Sequence, residues 1–318
     1  MEKRIKVLVS GIGKRNVLIR LLREECIKRG LELIGGDAAE VVPADIEFSS
    51  RFHLPYAYDV SFMDNVAALL NRENTVAHLT LIDPEITMLG KIEKEKKCDS
   101  LLLNPCLETS RICEDKYLFY LHLCNHNIPS QSTSLTPFED YPFICKDRKG
   151  SASSGFKVFQ NLKEYLQWNY SRIDGDYIFQ PFCHGIHYCI DAYCSIYSGN
   201  LIDFCAKKVL MKSKGESFLL ESVDGRPFEP LLNNICSALN LRGIINLDVY
   251  EIDGKMIVME INCRIGGNYP ASHSFGCNFI GLMLDEIVSY RPASTKYSHY
   301  KIGKRVAKYF HFSDPIGD

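Results

Sequence analysis

Short apolar runs alternate with amphipathic stretches along the first hundred residues. Ile5 to Ser10 is an apolar run typical of a buried strand, and a turn at Gly11 to Asn16 follows it. Apolar residues then recur at helical spacing from Val17 to Cys26, and Gly30 ends that pattern. Further strands are predicted at 31–34, 76–82 and 101–104, with helices at 61–71 and from 83 onward. This alternation favours a small parallel sheet with helices on its faces.

The pattern changes in the second third of the chain. A helix is predicted from Thr109 or Ser110 to about Cys124, and strand-like runs dominate from Tyr141 onward. Glycine-containing turns separate these runs at 198–200, 224–225 and 253–254. Helical spacing returns at 162–170, 229–239 and 282–290. The sequence therefore predicts an α/β part followed by a larger α+β part.

Composition limits the class of protein. The 318 residues, 46% of them hydrophobic, predict a globular protein of two domains or one domain with appended lobes. A net charge of −2 gives no bulk attraction to nucleic acid or membrane, and no run of 18 apolar residues predicts a membrane span. The 13 cysteines include no Cys-x-x-Cys pair, which disfavours a zinc ribbon. With no signal peptide at the N-terminus, we expect a reduced, cytoplasmic protein.

A glycine-containing turn after the first strand is the first candidate site. Gly11 and Gly13 follow the strand, and Asp37 lies roughly where a ribose-binding acid would lie in a dinucleotide fold. Asn16 stands where that fold would have a third glycine. The turn is therefore either an ordinary strand-to-helix connection or an anion site at a helix N-terminus.

A second glycine-rich stretch follows a strand that ends in a lysine. The strand is predicted at 143–146, the stretch runs from Gly150 to Gly155, and Lys157 begins another strand. Phe156 separates the second glycine from Lys157, and no Ser or Thr follows, so the spacing does not fit a P-loop. The pattern predicts a hairpin flap whose N–H groups wrap phosphates while Lys146 binds them as a point charge. The alternative is an ordinary mobile surface hairpin.

The strongest group of polar residues lies on a predicted hairpin near the end of the chain. Asp248 lies on its first strand, and the returning strand carries Glu260 and Asn262. A two-residue loop would put the two carboxylates on opposite faces, whereas a three-residue loop at 252–254, or an equivalent bulge, would put them on one face. Carboxylate and amide oxygens suit Mg²⁺, so we expect a shared face and a metal site. The alternative is a solvated acidic hairpin.

The order of these motifs resembles the ATP-grasp superfamily, specifically the ligases that are similar to carbamoyl-phosphate synthase. The resemblance runs from about residue 5 to about residue 290, and its most specific block is Glu260 to Gly267. It implies a Rossmann-like pre-ATP-grasp domain at 1–108, an ATP-grasp N-lobe with the flap at 109–180, and a C-lobe with the metal site at 181–318. Two α+β lobes would then clasp ATP.

The resemblance also implies roles for individual residues. The expected catalytic residues are Arg264, Lys146 and Lys207. The expected metal ligands are Asp248, Glu260 and Asn262. The expected nucleotide contacts are Lys116, Lys146, Gly150, Ser151, Ser153, Ser154, Gly155, Gln180, Pro181, Phe182 and His187.

Several positions depart from the family pattern. His187 replaces an acid that usually holds the ribose, and Pro181 replaces a frequent glutamate in the strand that reads the adenine edge. Because proline has no N–H, we expect adenine recognition through the N–H of Phe182 and the strand carbonyls. Val209 stands where a second basic residue is frequent, and Cys263 replaces a usual proline.

The function implied is an ATP-dependent ligase that forms an acyl phosphate and passes it to an amine or another nucleophile. The implied cofactors are ATP and Mg²⁺, with Mn²⁺ as an alternative. The implied partners are small carboxylates and amines, not nucleic acid or membrane, and a homodimer is left open. Alternatives are a catalytically silent ATP-binding or scaffold protein, an NAD(P) oxidoreductase, and a biotin- or bicarbonate-dependent carboxylase. His273 and Cys277 are either acceptor-site residues or structural ones.

Overall fold

The computed structural model describes residues 5–150, 155–168, 176–213, 216–294 and 300–309. These residues form one parallel sheet and two antiparallel sheets, with helices packed around them. Among the described residues, no helix has both the length and the apolar character that crossing a bilayer requires.

The first sheet is parallel throughout and has the spatial order β3-β2-β1-β4-β5. Its strands are β1 (Ile5–Ser10), β2 (Leu31–Asp37), β3 (Arg51–His53), β4 (Thr75–Thr80) and β5 (Leu101–Leu102). Its helices are α1 (Asn16–Lys28), α2 (Phe62–Glu73) and α3 (Asp83–Lys94). The predicted α/β part is thereby confirmed.

The segment after this sheet contains two helices where the sequence predicted one. They are α4 (Leu107–Glu114) and α5 (Lys116–Asn125). Asp115 between them has an extended backbone, and its carboxylate accepts hydrogen bonds from two backbone N–H groups of α5. The prediction of one continuous helix over 109–124 was therefore wrong, because Asp115 caps a new helix instead of continuing the old one. Lys116 becomes the first residue of α5.

The second sheet is small, antiparallel and backed by aromatic rings. Its order is β7-β6-β8, with strands β6 (Phe143–Asp147), β7 (Lys157–Phe159) and β8 (Tyr177–Pro181), and helix α6 (Leu162–Gln167) follows β7. Phe143 packs against Phe159, Tyr165 and Phe179 on one face. The other face, which carries Lys146, is left for the site.

The third sheet is antiparallel and has the order β13-β12-β9-β10-β11-β14. Its strands are β9 (Ile186–Cys194), β10 (Leu201–Ser213), β11 (Glu216–Ser222), β12 (Gly243–Ile252), β13 (Lys255–Asn262) and β14 (Arg305–Ala307). Its helices are α7 (Glu229–Leu239), α8 (Tyr269–Phe275) and α9 (Phe279–Ser289). Helix α8 was not predicted; it has only seven residues, too few for a clear helical period.

The β12–β13 hairpin closes on a two-residue turn. Ile252 pairs with Lys255, so the turn consists of Asp253 and Gly254, whose φ angles are +50° and +73°. The predicted three-residue loop was therefore wrong. The alternative prediction, an equivalent bulge, is confirmed, because Met259 is an extra residue in β13 and shifts the register beyond it by one.

One apolar cluster joins the first sheet to the third. It contains Val9 of β1, Leu22 of α1, Tyr193 of β9 and Phe279 of α9, each with no exposed surface. Burying such a side chain stabilises the fold by about 1.5–3 kcal/mol. Because α1 contacts α8 and α9, and α9 contacts β9 and β12, the cluster joins the first sheet to the third through these helices.

A buried polar cluster links α3 to the strands beside it. Glu85 of α3 is 4% exposed and accepts hydrogen bonds from the hydroxyls of Ser10 and Thr80. Ser10 also contacts the fully buried His78, whose pKa is lowered to about 3 by burial. Burial raises the pKa of Glu85 to about 7, although the hydroxyl donors lower it. The cluster anchors the start of α3, where Asp83 lies.

The raised pKa of Glu85 predicts a loss of stability as pH rises. The protonated carboxyl stabilises the fold below the unfolded-state pKa of 4.5, and this contribution is lost as pH rises through about 7. The free energy of unfolding of Glu85→Gln minus that of the wild type should therefore increase between about pH 5 and about pH 8, by on the order of 2 kcal/mol. Urea unfolding at the two pH values measures this, with the exposed Glu24→Gln as control. Equal differences at both pH values would contradict the assignment.

Candidate active site

Two carboxylates lie opposite each other on the β12–β13 hairpin. Asp248 pairs directly with Glu260 in the ladder, so their side chains leave the sheet on the same face. Asn262 alternates onto this face as well. The side chains of Asp248 and Glu260 are 25% and 35% exposed, so both are open to a ligand. The geometry meets the condition for a shared metal site, and the ligand roles stay a prediction.

Two lysines from the neighbouring segments face these carboxylates. Lys146 Nζ of β6 lies 3.7 Å from Glu260 Oε2, which bridges the second and third sheets. Lys116 Nζ donates to the carbonyl of Gly150 at 2.8 Å, at the base of the predicted flap. Burial lowers the pKa of Lys116, and Lys146 lowers it further, whereas Glu260 raises it. The two ammonium groups therefore lie near each other and near Glu260.

Asp115 and Arg148 hold Lys116 in place, and neither was predicted as a site residue. Arg148 Nε donates to both carboxylate oxygens of Asp115 at 2.8–2.9 Å, and the backbone N–H of Lys116 donates to the carbonyl of Arg148. Asp115 is only 2% exposed. An Asp-Lys pair gives no sign of a distant arginine partner, so only the fold reveals this support.

Arg264 connects the hairpin to the first sheet. Its Nη2 donates to Asp83 Oδ2 at 2.7 Å and to Asn262 Oδ1 at 3.3 Å. Its Nε is buried without a hydrogen-bond partner among the described residues. Burial lowers the pKa of Arg15 in the first glycine turn, and the nearby Arg264 lowers it further. Asp83 and Arg15, neither of which was predicted individually as a site residue, thus lie beside Arg264.

His187 contacts the predicted metal ligand. Its Nε2 lies 2.7 Å from Asp248 Oδ1, and its ring stacks on Tyr250 with centroids 4.7 Å apart. This geometry places the His187 ring beside the carboxylate of Asp248. The ribose contact of His187 stays a prediction.

Phe182, the residue directly after β8, was predicted to read the base through its backbone N–H. The N–H of Phe182 donates to the carbonyl of Pro142 at 3.0 Å, within the ladder of the second sheet. This hydrogen bond does not support the expected use of the N–H for adenine, because alternation along the strand points it toward β6. The nucleotide contact of Phe182 stays a prediction. The carbonyl of Pro181 points the opposite way and accepts from Gln131 Nε2 at 2.9 Å. Gln180 Nε2 donates to Thr133.

Lys207 is buried in an ion pair instead of lining the site. It has no exposed surface, and its ammonium group contacts the equally buried Asp191 and Ser272. Asp191 also accepts from Asn246 Nδ2 at 2.8 Å. This geometry does not support the predicted role of Lys207 in phosphate binding, because Asp191 already neutralises its charge. The sequence pattern could not show this partner.

An open cleft of about 460 Å³ lies between β9, β10 and β12. Its lining includes Cys183, His187, Lys208 and Tyr250, so it extends from just beyond β8 to His187, the residue that contacts Asp248. Its volume is in the range of small-ligand sites. Gly150 and Gly155 both have positive φ, a backbone conformation that glycine adopts without strain. The predicted contacts at Ser151, Ser153 and Ser154 lie outside the described residues.

Asp37, the candidate ribose acid of the first glycine turn, forms hydrogen bonds within that turn. Asp37 accepts from the backbone N–H groups of Gly13 and Ala39 at 3.1 and 2.9 Å, so its carboxylate is used within the turn.

Half-buried His273 and buried Cys277 lie around α8. Burial lowers the pKa of His273. Neither residue belongs to the group around Glu260.

The oxygen donors at the hairpin fit a hard divalent cation. Within the part of the chain that the structure describes, no three His, Cys, Asp or Glu side chains form a preassembled metal cage. Two carboxylates with an amide oxygen would therefore need further ligands from phosphate or water. This is the coordination that Mg²⁺ normally adopts with nucleotides.

Two family descriptions match this chain. One, an ATP-grasp domain, matches residues 113–268. The other, a PylC-like N-terminal domain, matches residues 7–101. No curated protein matches the sequence.

Solved structures share the fold at low sequence identity. The biotin carboxylase domain of 2-oxoglutarate carboxylase from Hydrogenobacter thermophilus has a TM-score of 0.76 and 12% identity, over 96% of this chain and 74% of that one. N5-carboxyaminoimidazole ribonucleotide synthetase from Thermotoga maritima has a TM-score of 0.67 and 16% identity, over 92% and 78%. L-amino acid ligase from Bacillus licheniformis has a TM-score of 0.69 and 17% identity, over 92% and 76%.

The burial of Lys207 predicts a structural effect of its removal. Lys207→Ala leaves Asp191 charged and buried, which should lower the free energy of unfolding by about 3–5 kcal/mol. The neighbouring Lys208, only half-buried, is the matched control, and Lys208→Ala should change it by less than about 0.5 kcal/mol. Guanidinium unfolding measures both. A Lys207→Ala variant of wild-type stability would show that the ion pair is not needed for folding.

Proposed function

The chain belongs to the ATP-grasp superfamily, and we propose that it is an ATP-dependent ligase that activates a carboxylate as an acyl phosphate and transfers the acyl group to an amine or another nucleophile. The observation that carries this proposal is the direct pairing of Asp248 with Glu260, with Lys146 Nζ 3.7 Å from Glu260. Acidic oxygens and a cation on facing sheets suit a metal–phosphate complex between them.

Each charged group has a distinct part in this proposal. Asp248, Glu260 and Asn262 would hold Mg²⁺, which would neutralise negative charge on the phosphates during transfer. Lys146 and Lys116 would bind the phosphate oxygens as point charges. We place Lys207 outside this group because its charge is already paired.

The reaction would proceed in two displacements. An oxygen of the substrate carboxylate attacks the γ-phosphorus of ATP, and the bond to the bridging oxygen breaks to release ADP. An amine then attacks the carbonyl carbon of the acyl phosphate, phosphate leaves, and the amine loses a proton. Arg264 would stabilise the negative oxygens in both steps, and no protein nucleophile is required.

The neighbouring structures support the nucleotide and the metal in this proposal. The Hydrogenobacter domain is described in complex with MgADP, ADP and bicarbonate. The three neighbours are described as a carboxylase domain, a carboxyaminoimidazole ribonucleotide synthetase and an amino acid ligase, so the fold serves more than one acceptor. We therefore propose the reaction class and leave the carboxylate and the acceptor to experiment.

Removing either hairpin carboxylate should strongly slow ADP formation. Purified protein with Mg²⁺ and ATP is screened for ADP release over paired carboxylates and amines, including amino acids and small peptides. For the pair that turns over, Asp248→Ala and Glu260→Ala should each lower kcat by about 10²-fold or more, because the phosphate charge loses its counter-ion.

Glu251→Gln is the matched control for these variants. Glu251 is on the same strand as Asp248, but it lies on the opposite face, where its carboxylate accepts from the hydroxyl of Tyr188 at 2.9 Å. This variant should keep near-wild-type turnover. Undiminished activity of Asp248→Ala and Glu260→Ala would reject the proposed site. ATP binding without ADP release under every substrate pair would favour a catalytically silent nucleotide-binding protein.

A further inference from the structure

The side chain of Gln131 lies against the strand edge where the base of a nucleotide would be read. Gln131 is 7% exposed, and its Nε2 donates to the carbonyl of Pro181 at 2.9 Å. Its Oε1 accepts from Cys183 Sγ at 2.9 Å. Because a proline carbonyl can only accept, the orientation of the carboxamide is fixed by this contact.

Alternation along the strand identifies this edge. The N–H of Phe182 donates to Pro142 of the second sheet, while the N–H and carbonyl of Phe179 bond to Ser134 on the other side. Odd-numbered residues of this strand therefore direct their backbone groups away from β6. The carbonyl of Pro181 belongs to that set, and the cleft reaches Cys183, two residues beyond the end of β8.

The carboxamide of Gln131 has the hydrogen-bonding pattern of an adenine edge. A carboxamide presents an N–H donor beside an oxygen acceptor. Adenine presents its 6-amino donor beside a ring-nitrogen acceptor in the same order. The amino group would bond to the Pro181 carbonyl, which Gln131 Nε2 occupies, and the ring nitrogen would accept from Cys183, whose thiol Gln131 Oε1 occupies. Gln180 Oε1 next to it is buried and has no partner among the described residues, which leaves one more acceptor for an amino group.

The backbone of Gln131 is bonded to other segments than its side chain is. Its N–H donates to the carbonyl of Val258 on β13, and Val258 donates in turn to Pro129. Ser134 exchanges two hydrogen bonds with Phe179 of β8, so the backbone of residues 131–134 is bonded to both the second and the third sheet. A rotation of the Gln131 side chain would break only its contacts with Pro181 and Cys183.

We propose that Gln131 is a displaceable competitor of the nucleotide base: its carboxamide takes the hydrogen bonds of a 6-aminopurine and leaves when such a nucleotide binds. This inference rests on the proposed function, because it requires a nucleotide in the cleft. The ligand class is a 6-aminopurine nucleotide, and its phosphates are not involved in the competition. Gln131 thereby weakens nucleotide binding at the base end.

Binding of ADP and of inorganic tripolyphosphate tests this competition. Isothermal titration with Mg²⁺ compares wild type, Gln131→Ala and Gln160→Ala, where Gln160 is an exposed glutamine directly after β7. Gln131→Ala should bind ADP about fivefold more tightly, because the base no longer displaces two hydrogen bonds. Its affinity for tripolyphosphate should not change, and Gln160→Ala should match the wild type for both.

Three results would overturn the inference. ADP affinity that is unchanged or weaker in Gln131→Ala would show that the side chain does not compete with the base. Equal gains for ADP and tripolyphosphate would locate the effect away from the base. If neither protein binds ADP, the proposed function fails and this inference fails with it, whereas ADP binding without a gain rejects the competition alone.

A measurement on the wild type covers the case in which the variant does not fold. The carboxamide ¹⁵N–¹H signals of Gln131 should shift on addition of ADP and stay in place on addition of tripolyphosphate. Signals that do not move with ADP would contradict displacement.

Discussion

The site depends on the direct pairing of Asp248 with Glu260 across two antiparallel strands. A two-residue turn alone would have set these carboxylates on opposite faces of the sheet. The extra residue at Met259 corrects the register, so both carboxylates and Asn262 lie on one face. The other charged contacts of the site are made on this face: Lys146 lies near Glu260, His187 contacts Asp248, and Arg264 donates to Asn262.

The site is assembled from elements of all three sheets. The third sheet provides the carboxylates, the second provides Lys146, and the start of α3 provides Asp83 as a partner for Arg264. The buried cluster around Glu85 fixes the position of α3, and the apolar core between α1 and α9 fixes the first sheet. Charged side chains from separate elements therefore meet in one place, where they would stabilise the proposed phosphoryl transfer electrostatically.

Local patterns predicted much of the fold, and tertiary partners explain most of the errors. The parallel strands and the hairpin could be predicted because their apolar periods are local. The break at Asp115 could not, since it depends on a side chain that caps the next helix and binds distant Arg148. Lys207 has a sequence position typical of a phosphate ligand, but Asp191 on the adjacent strand pairs with it. The N–H of Phe182 bonds to Pro142 because backbone groups alternate in direction along the strand, and the sequence does not show which direction each one takes.

The most direct test of this account is the position of the metal in a crystal structure with Mn²⁺ and ADP, found by anomalous scattering. The account predicts one Mn²⁺ between the carboxylates of Asp248 and Glu260, at about 2.0–2.4 Å from their oxygens, with Lys146 on the phosphates. Manganese bound elsewhere, or phosphates that lie away from Lys146, would contradict it.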